Sequence, residues 1–118
     1  MKIQMTVDGA VIARATLDNN ESARDFAELL PLDLSLKDYA ATEKIASLSQ
    51  KLSVEGARDA YTPSVGDLSY YVPWGNLAIF YKDGDFSIGL VRLARLDFGV
   101  DAIEHLGSAS VRIERARD

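Results

Sequence analysis

The first seventeen residues, MKIQMTVDGAVIARATL, constrain this chain more tightly than any other stretch. Ile3, Met5 and Val7 alternate with polar residues up to Asp8-Gly9, and Val11, Ala13, Ala15 and Leu17 alternate after it. A period of two lays one apolar face along each arm, and Asp-Gly supplies the positive φ that a tight hairpin turn needs. Strict two-residue pairing would set Ile3 opposite Arg14. A three-residue loop or a one-residue bulge instead keeps the odd-numbered apolar residues on one face, and that arrangement is predicted here.

The same period returns along the chain. LDLSLKDY puts Leu32, Leu34 and Leu36 on one side, and a short strand is expected around Lys44 to Leu48. A second hairpin has Leu68, Tyr70 and Val72 in its first arm, PWG at its turn, and Leu77, Ile79 and Tyr81 in its second. Pro73 presets one turn dihedral and Gly75 tolerates positive φ. After a further turn at KDGDF, GLVRLARLDFG and ASVRIERA read as strands. One good helix falls within DNNESARDFAELLP. Asp18, Asn19 and Asn20 are its candidate caps, Asp18 with Glu21 imitates a capping box, and Ala23, Phe26, Ala27 and Leu30 share a face. Arg24, Asp25 and Glu28 point away, and Pro31 stops the helix at Leu30. VDAIEHL gives one or two further turns, and residues 49–66 hold no sustained period. About eight short strands with one clear and one short helix predict a mainly β fold, a closed or nearly closed barrel forming a single domain over residues 1–118.

A chain of 118 residues is long enough to bury one real core. It has no cysteine, which removes disulfides, thiolate metal sites and cysteine nucleophiles. Net charge is −5, the reverse of the basic surplus that displaces counterions from phosphate, so no nucleic-acid partner is expected. The basic cluster SVRIERARD interleaves Arg112, Arg115 and Arg117 with Glu114 and Asp118 and reads as a solvated strand end. The opening residues lack the continuous apolar run of a signal peptide, and no stretch approaches a membrane span, so the expectation is a cytoplasmic protein without a membrane partner.

Catalytic motifs are missing. His105, the single histidine, lies four residues after Asp101 and is read as capping the end of the short helix. One histidine without cysteine makes a poor metal set, and KDGD (Lys82 to Asp85) lacks the other positions of a calcium loop, so no metal or cofactor is expected. The charged candidates are Glu43, beside Lys44, and Arg92 and Arg95 in an otherwise apolar strand. Alternation predicts that the two arginines point to opposite faces, one into water and the other buried against a carboxylate such as Glu43 or lining a pocket. Six of the ten aromatic residues lie between Tyr70 and Phe86. Tyr70, Ile79 and Tyr81 are assigned to the core. Tyr71 projects to the opposite face with Asp67 and Ser69, as does Phe80. Trp74, at a tight turn, either folds back under a loop or lines a groove, and a rim of Trp74, Tyr71 and Asn76 suits an apolar group with one polar handle.

TEKIASLSQKLSVEGA, GDLSYYVPWGNLAIFYKD and GLVRLARLDFGVDAI together resemble a group of small microbial proteins classed as cyclophilin-like. The likeness covers most of the chain, and PWGNLAIFYKD (Pro73 to Asp83) is its most specific block. It implies an eight-stranded cyclophilin-like barrel. True cyclophilins speed prolyl cis/trans rotation, a barrier of roughly 18–20 kcal/mol, with an arginine that hydrogen-bonds the prolyl nitrogen beside an aromatic pocket. Their arginine followed by a QGGD-like segment does not occur here, so their catalytic residues do not transfer, and Arg92 or Arg95 would serve only by convergence. Three readings follow. The first is a binding module whose groove, near Tyr71, Trp74, Asn76 and the 49–66 loop, takes a peptide or small apolar ligand. The second is a prolyl isomerase. The third is a self-associating structural protein, with the aromatics as the homo-oligomer contact.

Overall fold

The computed structural model describes residues 1–117; Asp118, read above as part of the charged strand end, lies outside the described residues. The chain opens with β1 (Lys2–Val7) and β2 (Ala10–Leu17), joined by a two-residue turn with φ 50° at Asp8 and 82° at Gly9. Met5 pairs with Ala13, then the register slips so that Thr6 faces Val11. This is the expected bulge, and it holds Ile3, Met5, Ala13 and Ala15 together in the interior with no exposure. Val11 lies on the turn side of the bulge, where the phase has reversed. It is therefore 46% exposed rather than in the apolar face.

Helix α1 (Glu21–Glu28) follows, then β3 (Leu32–Tyr39), β4 (Glu43–Ser47), the short β5 (Ala60–Tyr61), β6 (Asp67–Tyr71) and β7 (Asn76–Phe80). The short β8 (Ser87–Ile88), β9 (Leu90–Phe98), helix α2 (Val100–Glu104) and β10 (Ala109–Arg115) complete the chain. Eight strands close into an antiparallel barrel in the order β1-β10-β3-β4-β7-β6-β9-β2, while β5 and β8 pair outside it. The expected closed eight-stranded barrel is therefore observed. No described helix is long and apolar enough to cross a membrane.

Closure leaves no open edge, and the inward side chains fill the barrel. Its core joins Ile3, Met5, Leu68, Tyr70, Leu77, Ile79, Leu93, Val111 and Ile113. Because β2 and β9 are antiparallel, the helices that follow them leave from opposite ends of that pair, and each sends one large side chain inward. Phe26 of α1 and Ile103 of α2 both join the core. Full burial of such a side chain contributes about 1.5–3 kcal/mol.

Local chemistry fixes both helices. Asn20, and not the Asp18 of the imagined capping box, accepts the Ala23 N–H at 2.8 Å. Asp18 is taken by Arg92 instead. Asp25 does not point away but accepts the Ser53 N–H at 2.7 Å, tying the start of the long connection to the helix. Gly99, with φ 105°, begins α2 against the bulge of β2, where a Cβ would stand 2.4 Å from the Ile12 carbonyl oxygen. No other residue fits there. The carbonyl of Asp101 lies 2.8 Å from His105 Nδ1, the capping arrangement expected of this histidine.

Candidate functional site

Strands β4, β7, β6 and β9 lie side by side, and directly paired residues share a face. One face carries Leu68 with Ile79, and Tyr70 with Leu77, into the barrel. The other carries Ser69 with Ala78 and Ile45, Tyr71 with Asn76 and Ser47, and Phe80 with Glu43. This outer face is covered too. All five residues of β7 are buried, and Ile45, Ala78, Phe80 and Leu90 make a second apolar cluster with Tyr61 and Tyr71 packed against it.

A groove of about 330 Å³ opens on this outer face. Tyr71, Asn76, Phe80 and Leu90 come to it from the strands. Tyr39, Ala40, Thr42 and Glu43 come from the β3–β4 turn, and Asp83, Gly84, Asp85 and Ser87 from the segment after β7. Trp74 stands at its mouth. The turn that carries it closes with the Gly75 N–H donating to Tyr71 O at 2.9 Å, and φ is 64° at Gly75 as the sequence required. Trp74 meets Tyr39 and Tyr71 edge to face, with centroids 5.6 and 5.5 Å away, yet remains 59% exposed. The ring is thus held in place by two neighbours while most of its surface stays open to water.

The charged groups of the groove have one sign. Glu43, Asp83 and Asp85 line it, and among the described residues neither lysine nor arginine does. Partial burial, helped by the nearby charge of Asp38, raises the Glu43 carboxyl above its ordinary value. Asp83 is oriented by accepting the Val65 N–H at 2.9 Å. Asn76 is only 5% exposed; its Nδ2 donates to Leu77 O while Oδ1 keeps no hydrogen-bond partner among the described residues. A buried amide oxygen without a partner costs about 1–3 kcal/mol.

A family model described as the Cyclophilin-like family matches residues 5–114 of the 118. The chain belongs to that family. No curated protein matches it significantly. In this cyclophilin-like barrel four of the six candidate residues, Tyr71, Trp74, Asn76 and Glu43, come together in one groove. Arg92 and Arg95 do not join them.

The two arginines correct the sequence reading. A register slip between Leu68 and Ser69 pairs Arg95 with Asp67 and Arg92 with Ser69, so both side chains reach the same outer carboxylate. Neither enters the barrel, and neither is partnered by Glu43. Arg92 Nε donates to Asp18 at 2.6 Å, with Nη1 3.9 Å from Asp67. Arg95 stands 3.6 Å from Asp67 with a side chain 57% exposed. Asp67 itself is buried and accepts from Tyr61 Oη and the Ser64 N–H, while Tyr61 also hydrogen-bonds Ser69. Burial drives the Tyr61 hydroxyl far above its normal range. This network clamps the 49–66 connection to the barrel. That connection does not wall the groove as expected; it lines a separate depression with Asp18, Asn20 and Arg92.

Tyr39, Asp83 and Asp85 were missed from sequence. The two aspartates were visible in KDGD, where the turn explained them fully. Tyr39 carried no signal, since only the closure of β3 on β4 and β7 brings it to Trp74.

Proposed function

We propose that this protein is a binding module whose outer-face groove takes a peptide or small ligand with an apolar body. The observation that carries the reading is Trp74, braced edge to face by Tyr39 and Tyr71 and open at the mouth of a groove that also holds Asn76 and Glu43. Small-molecule and peptide sites are concave and combine apolar surface with a few polar groups that give direction. Here the aromatic rings supply the apolar part, and Thr42, Glu43, Asn76, Asp83, Asp85 and Ser87 make the rest of the groove markedly polar. An isomerase of the cyclophilin kind needs an arginine on the pocket wall. No arginine lines the Trp74 groove, and Arg92, which lines the separate depression beside Tyr61, has its guanidinium engaged by Asp18 and Asp67, which favours binding over catalysis.

Chemical-shift mapping with a panel of short peptides and apolar fragments tests the proposal. The expected shifts concentrate at Tyr39, Tyr71, Trp74 and Asn76. Shifts centred on Arg92 and residues 56–62 would overturn it. Prolyl rotation in the same peptides should run at the uncatalysed rate, and an acceleration lost in Arg92→Ala or Arg95→Ala would restore the isomerase reading. Concentration-dependent burial of Trp74 without any ligand would instead make the groove a self-association surface.

A further inference from the structure

The groove proposed above as a binding site has a chemical polarity that narrows its occupant. We infer that it receives the side-chain ammonium of a lysine within a peptide, held between aromatic rings and carboxylates. The inference rests on the binding-module reading and adds the ligand class to it.

Three independent features converge. First, every formally charged side chain lining the groove, Glu43, Asp83 and Asp85, is acidic. None of the three forms a salt bridge among the described residues, although six such pairs occur elsewhere in the molecule. A half-buried, unpaired carboxylate such as Glu43 gains most when a cation arrives. Second, Tyr39, Trp74 and Tyr71 form a continuous aromatic wall, and ring faces attract ammonium groups while ring edges do not. Third, Asn76 lines the same groove and holds a buried amide oxygen without a partner among the described residues, which an incoming N–H would reach through a small movement of the side chain. Aromatic faces and carboxylates are jointly complementary to an N–H-rich cation on an apolar stem. An anionic ligand would meet repulsion from all three carboxylates.

The surroundings favour a peptide over a free amine. A second groove of about 760 Å³ shares Tyr39, Trp74 and Asn76 with the first, and its charged lining is Asp33, Asp38 and Lys37. The combined surface is larger than a single alkylammonium covers and gives room for the backbone on either side of a lysine. Net charge of −5 adds long-range attraction for a basic segment.

Trp74 is the chain's single tryptophan, so its emission reports on the groove directly. The experiment titrates the protein with short alanine peptides bearing a central lysine or a central norleucine, and with n-pentylammonium alone. The lysine peptide should bind roughly tenfold or more tightly than the norleucine peptide, as a desolvated cation–π contact plus a carboxylate allow. Glu43→Gln, which keeps the shape of the side chain, and Asp85→Asn should each shrink that ratio. Pentylammonium should bind more weakly than the lysine peptide. Equal binding of lysine and norleucine would overturn the ammonium inference while leaving the groove as a binding site. Pentylammonium matching the lysine peptide would overturn the peptide assignment. Should neither peptide perturb Trp74, the lysine inference falls, and the fragment mapping above decides separately whether the groove binds anything.

Discussion

Strands β6 and β7 are buried on both sides, and their two sides are chemically unlike. Inward, Leu68, Tyr70, Leu77 and Ile79 are nearly inaccessible and almost wholly apolar. Outward, Asp67, Ser69, Asn76, Ala78 and Phe80 are just as buried but mostly polar, and two of them, Asp67 and Asn76, keep an oxygen without a hydrogen-bond partner among the described residues. The inner face is sealed by barrel closure. The outer face is sealed only by loops, incompletely, and the gap is the groove. Burial achieved by strands thus makes the fold, while burial achieved by loops leaves a gap and buried oxygens without hydrogen-bond partners among the described residues.

The largest effect that tests this contrast is on the inner face. Leu77→Ala removes a fully buried side chain from the barrel centre and should cost about 2–5 kcal/mol of unfolding free energy by denaturant titration. A cost under about 1 kcal/mol would mean that the interior is loosely packed. Next is the outer clamp. Asp67→Ala strips acceptors from Tyr61 and the Ser64 N–H and should cost about 1–3 kcal/mol. Hydrogen exchange should then rise across residues 56–66 more than in β6. Uniform acceleration over both would show that the clamp belongs to the barrel and not to its covering.

A smaller effect concerns pH. The hydrogen bond that Tyr81 donates to Asp38 pushes the tyrosine up to about 12 and holds the carboxyl below its ordinary range. A raised folded-state value contributes stability that is complete below the tyrosine's ordinary value of 10.0 and is lost as pH climbs through about 12. The lowered carboxyl works in reverse, contributing above its ordinary value of 3.8 and losing that contribution as pH falls. Tyr81→Phe should therefore flatten the alkaline limb of the stability profile and weaken the acid limb. The acid limb should persist in part, because the Ala41 N–H and Lys44 also favour the charged Asp38. An unchanged alkaline limb would place the titrating group elsewhere, with Tyr61 the next to test. The smallest stability effect belongs to Trp74→Ala, about 1 kcal/mol or less, since the ring is mostly exposed and only its edge contacts are lost.

The two faces also differed in how far the sequence announced them. Alternation in residues 3–17, 32–36 and 68–81 placed the inner face almost completely, because a period of two is a property of single strands. The irregularity at the first hairpin was legible because strict two-residue pairing about Asp8-Gly9 cannot keep the odd-numbered apolar residues together; of the loop or the bulge that could, the structure has the bulge. The bulge opposite Leu68 and Ser69 left no such trace, so Arg92 and Arg95 were sent to opposite sides when both reach Asp67. The groove was half legible. Trp74, Tyr71 and Asn76 stand within six residues at a turn, and local geometry alone set them on one rim. Tyr39 joins them only through pairings distant in sequence, β3 with β4 and β4 with β7, and Asp85 through the irregular segment between β7 and β8, which no local period encodes.

The most direct test of the division between faces measures one variant twice. Trp74→Ala is compared with wild type for its denaturation midpoint and for its affinity towards the lysine peptide, the latter by calorimetry since the fluorescent reporter is gone. The account predicts a midpoint almost unmoved and an affinity reduced roughly tenfold or more. A collapsed midpoint would make Trp74 part of the fold, and an unchanged affinity would remove the outer groove from the protein's function.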